Sequence, residues 1–159
     1  LLQTGKRDPA PVVLLDAPGG DYWMGFQQFI SKQLVDRGMI SPQDLALYKI
    51  TDDCDRAVEE VLSFFRVYHS MRYVKNELVL RLNQRPAEPL LESIRQDFAD
   101  ILAGGTFEVR EALPEERGEP TLAALPRLVF EFNRRDLGRL RQLIDCLNRS
   151  GVEGDPPAC

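Results

Sequence analysis

Short apolar runs alternate with longer amphipathic stretches along the chain. Pro11-Val12-Val13-Leu14-Leu15-Asp16 is continuously apolar before its aspartate and β-branched near its start, which predicts a strand buried on both faces of a parallel sheet. Ala17-Pro18-Gly19-Gly20-Asp21 breaks the run. Over residues 22–37, Trp23, Phe26, Phe29, Ile30 and Leu34 recur at helical spacing, and Gly38 stops the helix. Leu45-Ala46-Leu47-Tyr48-Lys49-Ile50 reads as a second strand, which closes a right-handed βαβ unit with parallel strands. Thr51-Asp52-Asp53 then supplies N-cap chemistry for a helix with Val58, Val61, Leu62, Phe65 and Tyr68 on one face.

A second pattern begins after His69-Ser70-Met71-Arg72. Leu78, Leu80 and Leu82 alternate with Val79 and Arg81, as in a half-buried strand. Residues 86–102 form a predicted helix with Leu91, Ile94, Phe98, Ile101 and Leu102 inward, ended by Gly104-Gly105. Residues 106–110 alternate again, and the Pro- and Glu-rich residues 111–126 read as a loop. Residues 127–132 are the last strand, and a final helix buries Leu137, Leu140, Leu143, Ile144 and Leu147.

The fold class is therefore α/β. A parallel βαβ unit spans residues 1–70, a small α+β subdomain of order β-α-β-β-α spans 71–151, and 152–159 form a disordered tail. Two strands leave both edges of the first sheet open, so this half needs more sheet than it contains. Leu1-Leu2-Gln3-Thr4-Gly5 has the pattern of a last helical turn with its C′ glycine, which makes the chain the C-terminal part of a longer polypeptide.

Composition narrows the function classes. A net charge of −5 gives no electrostatic reason to expect nucleic acid or an anionic membrane as partner. No apolar run approaches the roughly 18 residues of a spanning helix. Three cysteines at wide spacing and one histidine argue against a disulfide framework and a zinc site, so no metal or cofactor is expected, and the location expected is the cytoplasm.

Candidate chemistry is sparse. Pro18-Gly19-Gly20 between strand and helix has the form of a phosphate-cradling turn, but Asp21 puts a carboxylate where an anion would lie. His69-Ser70 lacks the third converging group of a triad. The segment Tyr68-His69-Ser70-Met71-Arg72-Tyr73 reads as a linker, a hinge or an inter-subunit contact. Paired carboxylates such as Glu115-Glu116 read as solvated loop charge. Tyr22 and Trp23, past the carboxyl end of the first strand, are the candidates for lining a site, with burial in the core as the other reading of Trp23.

Read together, Leu2-Gln3-Thr4-Gly5-Lys6, the strand ending at Asp16 and the Gly20-Asp21-Tyr22-Trp23 loop resemble LOG-type ("lonely guy") proteins, a family formerly described as lysine decarboxylases. The resemblance covers about residues 1–70. Residues 71–151 resemble the C-terminal extension of a longer bacterial subfamily. The family's Rossmann-like phosphoribohydrolases split a nucleoside 5′-monophosphate into free base and ribose 5-phosphate. Their P-G-G-x-G-T-x-x-E signature does not occur here, because Asp21-Tyr22-Trp23 follows Gly20. No catalytic residue is carried over. The resemblance implies a partial Rossmann-like domain, substrate contact at Tyr22 and Trp23, a dimer interface near Gln3, and a homo-oligomer. A nucleoside monophosphate would bind through the absent N-terminal half. A non-catalytic nucleotide-binding module, an ACT-like regulatory module and an association module stay open as alternatives.

Overall fold

The structure, a computed structural model, describes residues 2–150; the expected tail at 152–159 lies outside them. The chain is α/β and folds as two compact units. The first takes the residues up to Phe64 together with Arg135–Gln142, and the second takes Phe65–Arg134 and the residues from Leu143 on.

In the first unit, β1 (Val13–Leu15) pairs in parallel with β2 (Lys49–Thr51), with Leu14 opposite Ile50. Helix α1 (Tyr22–Ile30) continues through a π-helical turn, Ser31–Val35, and Gly38 follows in the left-handed conformation at φ 68°. The expected strand over 45–50 is shorter than its apolar run. Pro42–Leu47 winds into a 3-10 helix instead, because Pro42 fixes the first turn and Ser41 and Asp44 cap it reciprocally. The Asp44 carboxylate accepts from the Ser41 amide at 3.0 Å. Helix α2 spans Cys54–Phe64, and Asp53 Oδ1 accepts from the amides of Asp55 and Arg56 at 2.8 and 3.2 Å.

This unit has little core. Phe64, Leu137 and Leu140 are buried, but α1 buries no residue. Phe26 and Phe29, expected inward, are exposed, as are Met24, Val58, Val61 and Leu62. A two-stranded sheet cannot cover two amphipathic helices. The first turns of helix α4 (Leu137–Arg149) close this unit: Arg141 pairs with Glu60, and its guanidinium lies over the Phe64 ring at 4.8 Å.

The second unit is a four-stranded antiparallel sheet in the order β3-β4-β6-β5. Its strands are β3 (Tyr68–Val74), β4 (Glu77–Leu82), β5 (Leu102–Arg110) and β6 (Arg127–Phe132), with α3 (Glu88–Asp97) between β4 and β5. The order in this part of the chain is thus β-β-α-β-β-α, with one strand more than expected. Residues 68–73, read as a connection, form an edge strand. An edge strand pairs on one side alone and tolerates polar side chains, which hid it. The turn into β4 is marked by Lys75 at φ 55° rather than by a glycine. Likewise Gly104-Gly105, read as a helix stop, lies inside β5, where Gly105 at φ 69° accompanies shifts in register.

Pairing of Leu78 with Phe130 and Leu80 with Leu128 puts these residues on one sheet face. They are buried with Phe107 of β5, Leu91 and Ile94 of α3, and Leu143 and Ile144 of α4. The opposite face carries Val79 opposite Val129 and Arg81 opposite Arg127. There Val74, Val79 and Val129 form a small cluster with Leu113 packed on it. Asn148 of α4 joins β3 to this body, its Oδ1 accepting from the buried amides of Val67 and Tyr68 at 2.8 and 3.0 Å. Cys54 is exposed and free, whereas Cys146 is buried and disulfide-bonded, although the wide cysteine spacing argues against a disulfide framework.

Candidate functional site

Parallel strands end side by side, so the loops that follow them share one edge. The Asp16 amide donates to the Thr51 carbonyl at 2.9 Å, which sets the end of β1 beside the end of β2. An aspartate follows each strand. Asp16 Oδ1 accepts from the Ala17 amide at 2.9 Å, and its Oδ2 accepts from the Trp23 amide at 3.4 Å. Asp52 Oδ2 accepts from the Gly19 amide at 2.9 Å. The Pro18-Gly19-Gly20 turn therefore spends its backbone donors within the protein, Gly19 on the Asp52 carboxylate and Gly20 on the Ala17 carbonyl at 2.7 Å. Gly20 is required here, since a Cβ would lie 2.5 Å from Asp16 Oδ1 and 2.9 Å from the Ala17 carbonyl. The Gly19 amide is the main cause that holds the Asp52 carboxyl below its ordinary range.

This turn launches α1 with Tyr22 and Trp23 at its mouth. The Trp23 indole donates through Nε1 to the Leu15 carbonyl at 3.0 Å, so the ring is tied to the end of β1. Tyr22 meets it edge-on at 5.0 Å and 83°, and Trp23 meets Phe26 edge-on at 5.8 Å. Phe26 in turn lies 6.3 Å from Tyr48. The Tyr22 ring is 72% exposed at the outer end of this aromatic row. At the inner end, burial raises the Tyr48 hydroxyl above its ordinary range, and that oxygen has no hydrogen-bond partner among the described residues.

The other candidates lie elsewhere. Gln3 Nε2 donates to Asp44 Oδ2 at 3.4 Å, against the 3-10 helix rather than at the aromatic row. His69 Nδ1 and Ser70 Oγ are 2.9 Å apart on β3, with no carboxylate bonded to the imidazole among the described residues. Among those residues no group of three or more His, Cys, Asp and Glu could hold a metal ion, and no helix is long and apolar enough to cross a membrane. The sequence reading gives Asp52 to N-cap chemistry and no role to Asp16, although an aspartate directly after each parallel strand is a usable signal. Glu116 escaped that reading. Read as solvated, it lies buried between Arg81 and Arg127, because the partners that draw it inward are distant in sequence.

A parallel pair with loops converging past its carboxyl ends defines an α/β protein. Residues 1–61 match the family described as "Possible lysine decarboxylase". No curated protein and no solved structure matches the chain.

Proposed function

We propose that this chain serves a LOG-type phosphoribohydrolase, in which a nucleoside 5′-monophosphate and water give free base and ribose 5-phosphate. The family match over residues 1–61 carries this reading. Its parts fall to different stretches of polypeptide. The aromatic row opening on Tyr22 offers a ring face for stacking a base, while the bond from Trp23 to Leu15 holds the row in place. Bond cleavage builds positive charge on the ribosyl carbon, which a fixed carboxylate stabilises. Asp16 and Asp52 are occupied by loop amides, and the signature glutamate does not occur in these 159 residues. That carboxylate is therefore supplied by polypeptide outside this sequence, and the nucleotide binds where the two parts meet. The reading carries with it a cytoplasmic homo-oligomer, with Gln3 near the contact between copies.

A regulatory role for residues 65–134 is the second reading, favoured by a separately compact antiparallel sheet unit that the family match does not reach. Intact mass and N-terminal sequencing of the native protein test for the missing signature. Incubation of that protein with AMP tests the reaction. Release of free adenine supports the hydrolase. Nucleotide binding without base release rejects it in favour of the regulatory module.

A further inference from the structure

The loop of residues 111–119 is an acidic strap laid across basic side chains of its own unit. Glu111 pairs with Arg85 at 3.1 Å and Glu115 with Lys75 at 2.8 Å. Glu116 Oε1 lies 2.7 Å from Arg81, and its Oε2 lies 3.0 Å from Arg127 Nε. Glu119 reaches Arg72 at 3.0 Å and Arg81 at 2.7 Å. Beneath the strap, Arg81 and Arg127 are register partners on adjacent strands, and Arg72 pairs with Val79, two residues along β4 from Arg81. Three guanidiniums thus converge on two carboxylates. The surplus is visible in atoms: Arg127 is fully buried, and its Nη2 has no acceptor among the described residues. A clamp serving structure alone would complete its buried hydrogen bonds.

From this we infer that Arg72, Arg81 and Arg127 form a phosphate-binding site, with the strap as its lid and the Glu116 and Glu119 carboxylates standing in for the ligand. The chemistry matches. A phosphomonoester carries roughly −1.5 to −2 charge and three acceptor oxygens, about the charge of the two carboxylates and one oxygen for each guanidinium. Arginine forks recognise phosphate by paired N–H donors, which the unused Arg127 nitrogen would complete. The strap's outer ties are exposed ion pairs at Glu111 and Glu115, which are weak and screened by salt. Its apolar hold is Leu113 on the valine cluster. A ligand that replaces Glu116 and Glu119 therefore frees a strap with few other anchors. The site is built wholly from residues of the second unit and does not depend on the hydrolase reading.

The test uses the full chain and inorganic pyrophosphate, with potassium chloride at matched ionic strength as control. Hydrogen exchange over residues 111–119 should accelerate with pyrophosphate and stay unchanged with chloride. Glu119→Gln removes one competing carboxylate and should tighten pyrophosphate binding about tenfold, while Arg72→Gln should weaken it by a similar factor. Both positions are partly exposed, so both variants keep the fold. The proposal is overturned if millimolar pyrophosphate leaves strap exchange unchanged in the parent and in Glu119→Gln. Binding that survives Arg72→Gln undiminished overturns it too. So does tighter binding of a polyglutamate peptide than of pyrophosphate, which would make the face a peptide dock.

Discussion

Arg127 Nε stands 3.0 Å from Glu116 Oε2, and the two side chains keep 0% and 1% of their surface in water. A loop residue is thereby locked to the middle of a sheet. Burial of Glu116 opposes its charge, yet hydrogen bonds from Arg127, the Leu113 amide and Arg81 outweigh that and bring its carboxyl down to about 2.

The pH dependence of stability follows with a definite sign. The folded value lies below the unfolded one near 4.5, so the group stabilises the fold above that value and loses its contribution as pH falls towards 2. The contribution at neutral pH is about 3 kcal/mol. Glu116→Gln should lower denaturant stability at pH 7 by that order and flatten the acid limb between pH 5 and 2. Equal acid limbs in parent and variant would show that Glu116 is not held ionised by its arginines.

Asn148 serves two buried backbone donors with one oxygen. Asn148→Ala strands the Val67 and Tyr68 amides and should cost about 3 kcal/mol. Asn148→Asp keeps an acceptor and should cost less. Urea titrations of the two variants decide it. Equal losses would mean that packing of the side chain, not the shared acceptor, holds the start of β3.

How much of this was legible depends on how local the cause was. The strand at 127–132 and the last helix follow from periodicity alone, since Leu128, Phe130 and Phe132 alternate and Leu140, Leu143, Ile144 and Leu147 repeat at helical spacing. The strand at 68–74 was hidden because no glycine marks its turn. The aromatic pair Tyr22 and Trp23 could be placed past a strand end, but the ties from Asp16 and Asp52 close across distances of up to 33 residues. The burial of Glu116 was least legible, because it depends on strands 35 residues earlier and 11 later meeting side by side.

Gly138 reverses an ordinary expectation. Alanine in a helix stabilises by up to about 1 kcal/mol over glycine. Here a Cβ would lie 2.3 Å from the Gln43 carbonyl oxygen and 2.6 Å from the Asp44 amide, both backbone atoms of the 3-10 helix. Gly138→Ala should therefore destabilise by about 2 kcal/mol or more, as overpacking does. Thermal unfolding of the variant checks the sign, and an unchanged or raised midpoint would refute the close approach.

The faces of α1 and α2 predict association. Phe29 and Leu62 are 57% and 69% exposed, on a unit whose sheet has two strands. Exposed apolar surface of this kind draws chains together. Sedimentation velocity of the parent should show a concentration-dependent shift to a larger species, and Phe29→Glu with Leu62→Glu should abolish it. A parent that sediments as one monomeric species across the range would exclude association through these faces.

Tyr22 and Trp23 separate recognition from stability. The Tyr22 ring makes an edge contact with Trp23 and is otherwise in water, so Tyr22→Ala should change stability by less than about 0.5 kcal/mol. Trp23→Phe keeps an aromatic ring beside Phe26 but removes the donor to Leu15, and should cost about 1 kcal/mol. If the aromatic row receives a base, Tyr22→Ala in the native protein should raise KM for AMP several-fold with kcat less affected, because stacking contributes to ground state and transition state alike. Trp23→Phe should move stability and KM together, since it loosens the ring on which Tyr22 rests. An unchanged KM in Tyr22→Ala, in a protein that does release adenine, would place the base elsewhere and leave the row as a structural support for α1.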